Sequence, residues 1–311
     1  VAETAKSLLE SSWKATRVRK PKRGVVAILA GHSILLNGKL TSVAFQNHLE
    51  LYDEFVAWLA DLSTVLLSNE GDLRREDFAY AHLASALCSL ALSIRHQACL
   101  GHDVAAKILA RSLAEYSDVL ALLIVRPDLR AEFQEEEEPE KFWRSHVQRG
   151  KARKAIFSAL PLKEHAQTWW AEYETFRREE GRFLSSSVHP SYVSAAMIML
   201  AVDHEKEPWP GFLGRVSDAS VRTLIYAMQC LSLIVFLSRL PFGDEKFQFS
   251  AGLQFDPKSK LHRQIEARRY VLVRILRFLG MRRSEKGVFK LKEPAALKKW
   301  ALEELRNKLH G

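Results

Sequence analysis

An arginine and a histidine bracket a short polar loop, Arg182-Phe183-Leu184-Ser185-Ser186-Ser187-Val188-His189-Pro190-Ser191. Pro190 biases His189 toward extended backbone and itself suits a first helical turn, so the imidazole falls at a helix N-terminus. The free N–H groups of that turn, with Ser187 and Ser191 beside them, suit an anion such as a phosphate. Arg182 adds a planar cation matched to phosphate oxygens. These residue types are sufficient for metal-free RNA cleavage. The imidazole would move protons to or from the attacking 2′-hydroxyl or the leaving 5′-oxygen, and the guanidinium would stabilise charge on a phosphorane-like transition state. The alternative at the same position is a capping histidine that holds the Ser-rich loop.

Two other pairs, Arg75 with His82 and Arg95 with His102, have the same spacing. Their place inside helical patterns separates them from Arg182 and His189, which lie in a loop and at a helix start. Arg111 and Glu115 stand four apart on an otherwise apolar helix and therefore share a face. They read either as an intrahelical ion pair at the rim of the core or as a polar pair directed into a ligand site between helices.

The charge is uneven. The chain carries a net +9, yet residues 251–311 hold 16 Lys/Arg against 6 Asp/Glu, a balance of +10. Arg263, Arg268, Arg269, Arg274, Arg277, Arg282 and Arg283 of this segment are the candidate nucleic-acid contacts, since a basic helix face is the electrostatic footprint of a phosphate backbone.

Several chemistries find no support. There is no Gly-x-Gly-x-x-Gly, P-loop, Gly-x-Ser-x-Gly elbow or His-Glu-x-x-His. None of the 11 histidines has Glu three residues before it, which argues against a di-iron bundle. Cys88, Cys99 and Cys230 form no Cys-x-x-Cys pair and lie in apolar runs, as expected in a reducing compartment. No export signal is visible, and the apolar stretches 25–36 and 223–238 fall short of the ~20 residues that cross a bilayer. No metal, cofactor or membrane is expected, and the location expected is cytoplasmic.

The elements that must position these residues are helical. Tyr52, Phe55, Val56, Leu59, Leu62 and Leu66 recur at three- and four-residue steps, ending near Gly71. Leu83, Leu87, Leu90, Ala91 and Ile94 define a second helix that stops at Gly101, and Asp103 is placed to cap a third running to about Val125. Four acids, Glu135 to Glu138, precede Pro139 and mark another start. Helices are expected over 139–159 and 162–180, the second carrying Trp169, Trp170, Tyr173 and Phe176, and another opens at Pro190. A central apolar helix covers 223–238. Beyond it, residues 242–259 read as a linker, followed by a helix, a brief strand candidate at 288–291 and a last helix. The fold class is all-α: a basic N-terminal arm over 1–40, a helical bundle over 41–241, and a small basic C-terminal helical unit over 260–311.

Arg182, six residues and His189 in a helical setting resemble the HEPN superfamily (higher eukaryotes and prokaryotes nucleotide-binding domain), whose ribonuclease members carry Arg, four to six residues, then His. The resemblance runs loosely from about Phe78 to Ala201. A helix bearing Arg111 and Glu115, followed by Ser-x-x-His-Pro-Ser (Ser186 to Ser191), is also similar to an uncharacterised bacterial family often grouped with HEPN proteins. Phe183 departs from the pattern, since a polar residue commonly follows the Arg. The resemblance implies an RNA-directed protein, a metal-independent endoribonuclease of toxin or defence type, and a homodimer. The rival expectation is a non-enzymatic helical scaffold or nucleic-acid-binding subunit that works with a partner protein. A third is a small-ligand sensor built around Arg111 and Glu115.

Overall fold

The computed structural model describes residues 5–20, 43–68, 78–159, 171, 173–181, 184, 216, 218–238 and 259–286. These residues are overwhelmingly helical, and no strand occurs among them. The elements are α1 (Ala5–Thr16), α2 (Val43–Ser68), α3 (Phe78–Cys99), α4 (Asp103–Val125), α5 (Arg130–Glu135), α6 (Pro139–Phe142), α7 (Lys151–Ala159), α8 (Asp218–Cys230), α9 (Ser232–Leu237) and α10 (Lys260–Lys286). Residues 173–181 are helical as well.

The axis of the bundle is α2. Tyr52, Phe55, Val56, Trp58, Leu59 and Val65 are fully buried, so this helix is apolar on nearly every side and can be covered by several neighbours. It packs against α3, α8, α10 and α1. Among the described elements α3 and α4 pack most extensively, joined by a short turn in which Gly101 adopts φ 70°, the left-handed geometry that ends a helix at a glycine. Asp103 occupies the first position of α4 rather than its cap, which His102 holds, and its carboxylate accepts the Ser220 hydroxyl of α8 at 2.5 Å. Phenol groups tie the layers together: Tyr52 donates to the Ala91 carbonyl at 3.1 Å and Tyr80 to the Leu123 carbonyl at 2.8 Å.

Two long helices read from periodicity are broken. The stretch 139–159 divides into α6, a π-helical turn (Trp143–Val147), a 3-10 turn (Gln148–Gly150) and α7. Arg149 and Gly150 both have positive φ there, 58° and 76°, and an α-helix cannot continue through two left-handed residues. The apolar stretch over 223–238 is also interrupted, at Leu231 between α8 and α9. The Cys230 carbonyl at this interruption accepts the Ser117 hydroxyl of α4 at 2.7 Å, a side-chain partner for a group at a helix end. A short helix, α5, also forms where periodicity gave none.

Phe78–Cys99 and Ser220–Leu237 are long and apolar enough to cross a membrane by length and composition, but most of each is buried in the bundle. Within the segment read as a basic arm, α1 buries Leu8, Leu9 and Trp13 against α2 and α10. The C-terminal α10 shares the same core through Ile265, Val271, Leu272, Ile275 and Leu276.

Candidate nucleic-acid interface

The only part of the basic C-terminal segment that carries described side chains is α10, together with Ser259 before it. Ser259 caps the helix, its hydroxyl accepting the His262 N–H at 3.4 Å. Ile265, Ala267, Val271, Leu272, Ile275, Leu276, Phe278 and Leu279 turn one face onto α1 and α2. Steps of about 100° per residue then place Arg263, Tyr270, Arg274 and Arg277 within roughly 60° of one another on the opposite face, with Lys260 at its edge. Lys260, Arg263 and Arg277 are exposed, Arg274 is half-buried and Tyr270 is 45% exposed. The nearest acid on α10, Glu266, is engaged by Arg269 Nε at 3.1 Å. Glu266 itself lies on this face, one turn from both Arg263 and Tyr270, so the outer face of α10 is a mainly basic stripe about 25 Å long that carries one aromatic ring.

Arg268 belongs to the other face. It is 4% exposed, donates from Nη1 to Glu54 Oε2 at 2.6 Å and from Nε to Asp61 Oδ2 at 3.2 Å, and lies 5.2 Å over the Trp13 ring. Glu54 also accepts Trp13 Nε1 at 3.4 Å and pairs with Lys20 at 2.5 Å. Burial pushes the Asp61 carboxyl above its ordinary range, with Arg268 opposing that shift and Glu54 adding to it. Arg268 therefore joins α1, α2 and α10, with its Nε and Nη1 donors committed to carboxylates. Arg282 and Arg283 fall within α10, but their side chains lie outside the described residues, as do the strand candidate at 288–291 and the linker up to residue 258.

Arg182, Ser187, His189 and Ser191 also lie outside the described residues, as does the Trp169-Trp170 pair. The helical segment that leads to Arg182 is described, and two buried ion sites fix it. Arg177 donates to both oxygens of Asp118 on α4 at 3.0 Å and to the Tyr173 hydroxyl at 2.7 Å. Arg153 of α7 donates to Asp118 Oδ2 at 2.7 Å and to Glu174 at 2.6 Å. Two guanidinium and two carboxylate groups thus balance in charge. Burial works against the Arg177 cation, yet Asp118 together with Cys230, Tyr173 and Tyr226 outweighs it and raises the pKa of the group. One turn further on, Glu180 accepts two bonds from Arg222 of α8, at 2.9 and 2.8 Å. Lys107 is buried beside them. Burial lowers its pKa and the nearby Arg222 lowers it further, while Asp103 and Glu180 oppose that shift.

Sequence reasoning missed this charged network. Its signal is a charged residue inside an apolar run, as Asp118 is before Val119-Leu120-Ala121-Leu122 and Lys107 is within Ala105-Ala106-Lys107-Ile108-Leu109.

Arg111 and Glu115 form an intrahelical ion pair at 3.6 Å, with side chains 36% and 41% exposed. The pair sits on α4 beside Ile108 and Tyr116, both exposed. Arg95 is drawn away from His102: its guanidinium is paired with Asp53 at 2.6 and 3.1 Å, while the His102 ring meets Gln97 at 2.9 Å. Among the described residues, no group of three or more His, Cys, Asp or Glu comes together that could hold a metal ion.

Comparison of the chain with protein-family models, with curated proteins and with solved structures gives no match.

Proposed function

We propose that this chain is a helical nucleic-acid-binding protein that holds a sugar-phosphate backbone along the outer face of α10. The observation that carries this reading is the stripe of Lys260, Arg263, Arg274 and Arg277, three of them exposed and Arg274 half-buried, in which the acid Glu266 is paired with Arg269. Guanidinium groups in a row on a rigid helix neutralise successive phosphates and release condensed counterions, which makes binding steeply salt-dependent. The free thiols Cys88, Cys99 and Cys230 suit a reducing, cytoplasmic setting. The test is binding of the full chain to labelled RNA over a series of salt concentrations. Substituting Arg263, Arg274 and Arg277 together by Ala is expected to weaken binding at low salt and to reduce the slope of log K against log salt by about two, at ~0.7 per lost phosphate contact on a single strand. An unchanged slope refutes the assignment.

A second reading is favoured by a separate observation. The segment 173–181 is fixed by Arg177 to Asp118 and by Glu180 to Arg222, so the backbone entering Arg182 has a rigid support. Catalytic groups need that kind of anchoring. On this reading the protein is a HEPN-like endoribonuclease of toxin or defence type, with Arg182 and His189 acting without a metal in a homodimer. RNA incubated with the protein in excess chelator should be cleaved, and His189→Ala and Arg182→Ala should each reduce cleavage ~10²–10⁴-fold. Cleavage that survives in either variant, or on a 2′-deoxy substrate, refutes the mechanism. Light scattering that gives a monomer mass at every concentration refutes the dimer.

A further inference from the structure

We infer that the α10 stripe takes single-stranded nucleic acid in preference to a duplex, with a base stacked on Tyr270. The inference rests on the nucleic-acid reading above and adds the strandedness of the ligand. Its starting point is where the tyrosines stand. Tyr52, Tyr80, Tyr173 and Tyr226 are buried, and the first three have hydroxyl partners within the bundle. Tyr270 is different: its ring is 45% exposed, and it lies inside the basic stripe.

The spacing is informative. Along the helix axis, Arg263 lies about 10 Å before Tyr270, and Arg274 and Arg277 lie about 6 and 10 Å after it. Cations flank the ring on both sides, and Glu266, one turn before it, is paired with Arg269, so a strand whose phosphates follow the arginines passes over the aromatic face. A duplex offers its phosphates to the same arginines but keeps its base faces stacked inside the helix, where a surface ring cannot reach them. An unpaired strand exposes those faces, and aromatic stacking accepts any base because every base has a π-face. The charges alone serve both ligands. Only the ring distinguishes them.

Tyr116 supplies an internal control. It is equally exposed, at 44%, but stands on α4 next to Glu115 and away from the stripe.

The experiment measures the affinity of the full chain for a labelled oligouridine and for a labelled RNA duplex of equal length at one salt concentration. The wild type is expected to bind the oligouridine more tightly than the duplex. Tyr270→Ala should weaken oligouridine binding about 5- to 100-fold and leave duplex binding unchanged, and Tyr270→Phe should restore it, since stacking needs the ring and not the hydroxyl. Tyr116→Ala should alter neither. Equal losses on both ligands, or no loss on either, overturn this inference while leaving the nucleic-acid reading in place. A wild type that binds neither RNA but binds vesicles of phosphatidylserine and phosphatidylcholine overturns the nucleic-acid reading itself, and this inference with it.

Discussion

Asp118→Asn is the sharpest perturbation of the bundle. The carboxylate is 3% exposed and accepts three charge-assisted hydrogen bonds, one from Arg153 at 2.7 Å and two from Arg177 at 3.0 Å. The amide is nearly isosteric, so the change removes charge without leaving a cavity, and its NH₂ group faces guanidinium donors. Hydrogen bonds to charged groups contribute ~1.5–3 kcal/mol each. Arg153 keeps Glu174 and Arg177 keeps the Tyr173 hydroxyl, which limits the damage. The expected loss is therefore about 3–5 kcal/mol, the range for removing one partner of a buried pair. At roughly 2 °C per kcal/mol for a chain of this size, the melting temperature should fall by about 6–10 °C. Urea denaturation followed by far-ultraviolet circular dichroism gives the free energy directly. Asp118→Leu combined with Arg177→Leu should cost less than the single change, because no uncompensated charge is left at that pair. A loss below about 1 kcal/mol for Asp118→Asn, or a double variant weaker than the single one, refutes the reasoning.

Other outcomes follow from the same geometry. Arg268→Ala leaves Glu54 and Asp61 facing each other without their guanidinium and should lose about 3–5 kcal/mol in chemical denaturation, whereas exposed Arg277→Ala should stay within ~0.5 kcal/mol and change nucleic-acid affinity instead. Burial pushes the Cys230 thiol up to about 11 from its ordinary 9.0, with Arg177 opposing the shift. Because the folded value is the higher one, this stability is fully present below pH 9 and is lost as pH rises through 11. Melting curves should therefore show wild type losing ground to Cys230→Ser by up to ~2–3 kcal/mol across that window. Gly150→Ala imposes a side chain at φ 76° and brings its Cβ to 3.0 Å from the end of Arg153. A cost of about 1–2 kcal/mol is expected on melting, and a smaller one in an Arg153→Ala background, where that close approach is absent.

Much of the fold was legible because helical periodicity is a local property. The repeat from Tyr52 to Leu66, the pattern from Leu83 to Ile94 and the stop at Gly101 each depend on neighbours within a few positions, and each is met in α2, α3 and the turn after α3. The breaks were harder to see. Nothing in the hydropathy between residues 139 and 159 marks the two left-handed residues Arg149 and Gly150, and the apolar pattern around Leu231 continues across its turn.

The sequence by itself determined that this protein is all-α and that its excess positive charge lies in its last sixty or so residues. Which of those charges faces solvent was decided by tertiary structure alone. Arg263, Arg268, Arg274 and Arg277 are chemically the same residue on one helix, and only the docking of α10 on α2 sets Arg268 between Glu54 and Asp61 while Arg263 and Arg277 are exposed and Arg274 is half-buried. Arg268 and Glu54 are 214 positions apart, and Arg177 and Asp118 are 59 apart. A buried charge persists only where a distant part of the chain delivers its counter-charge, so its fate is a property of the packed bundle and not of the local sequence.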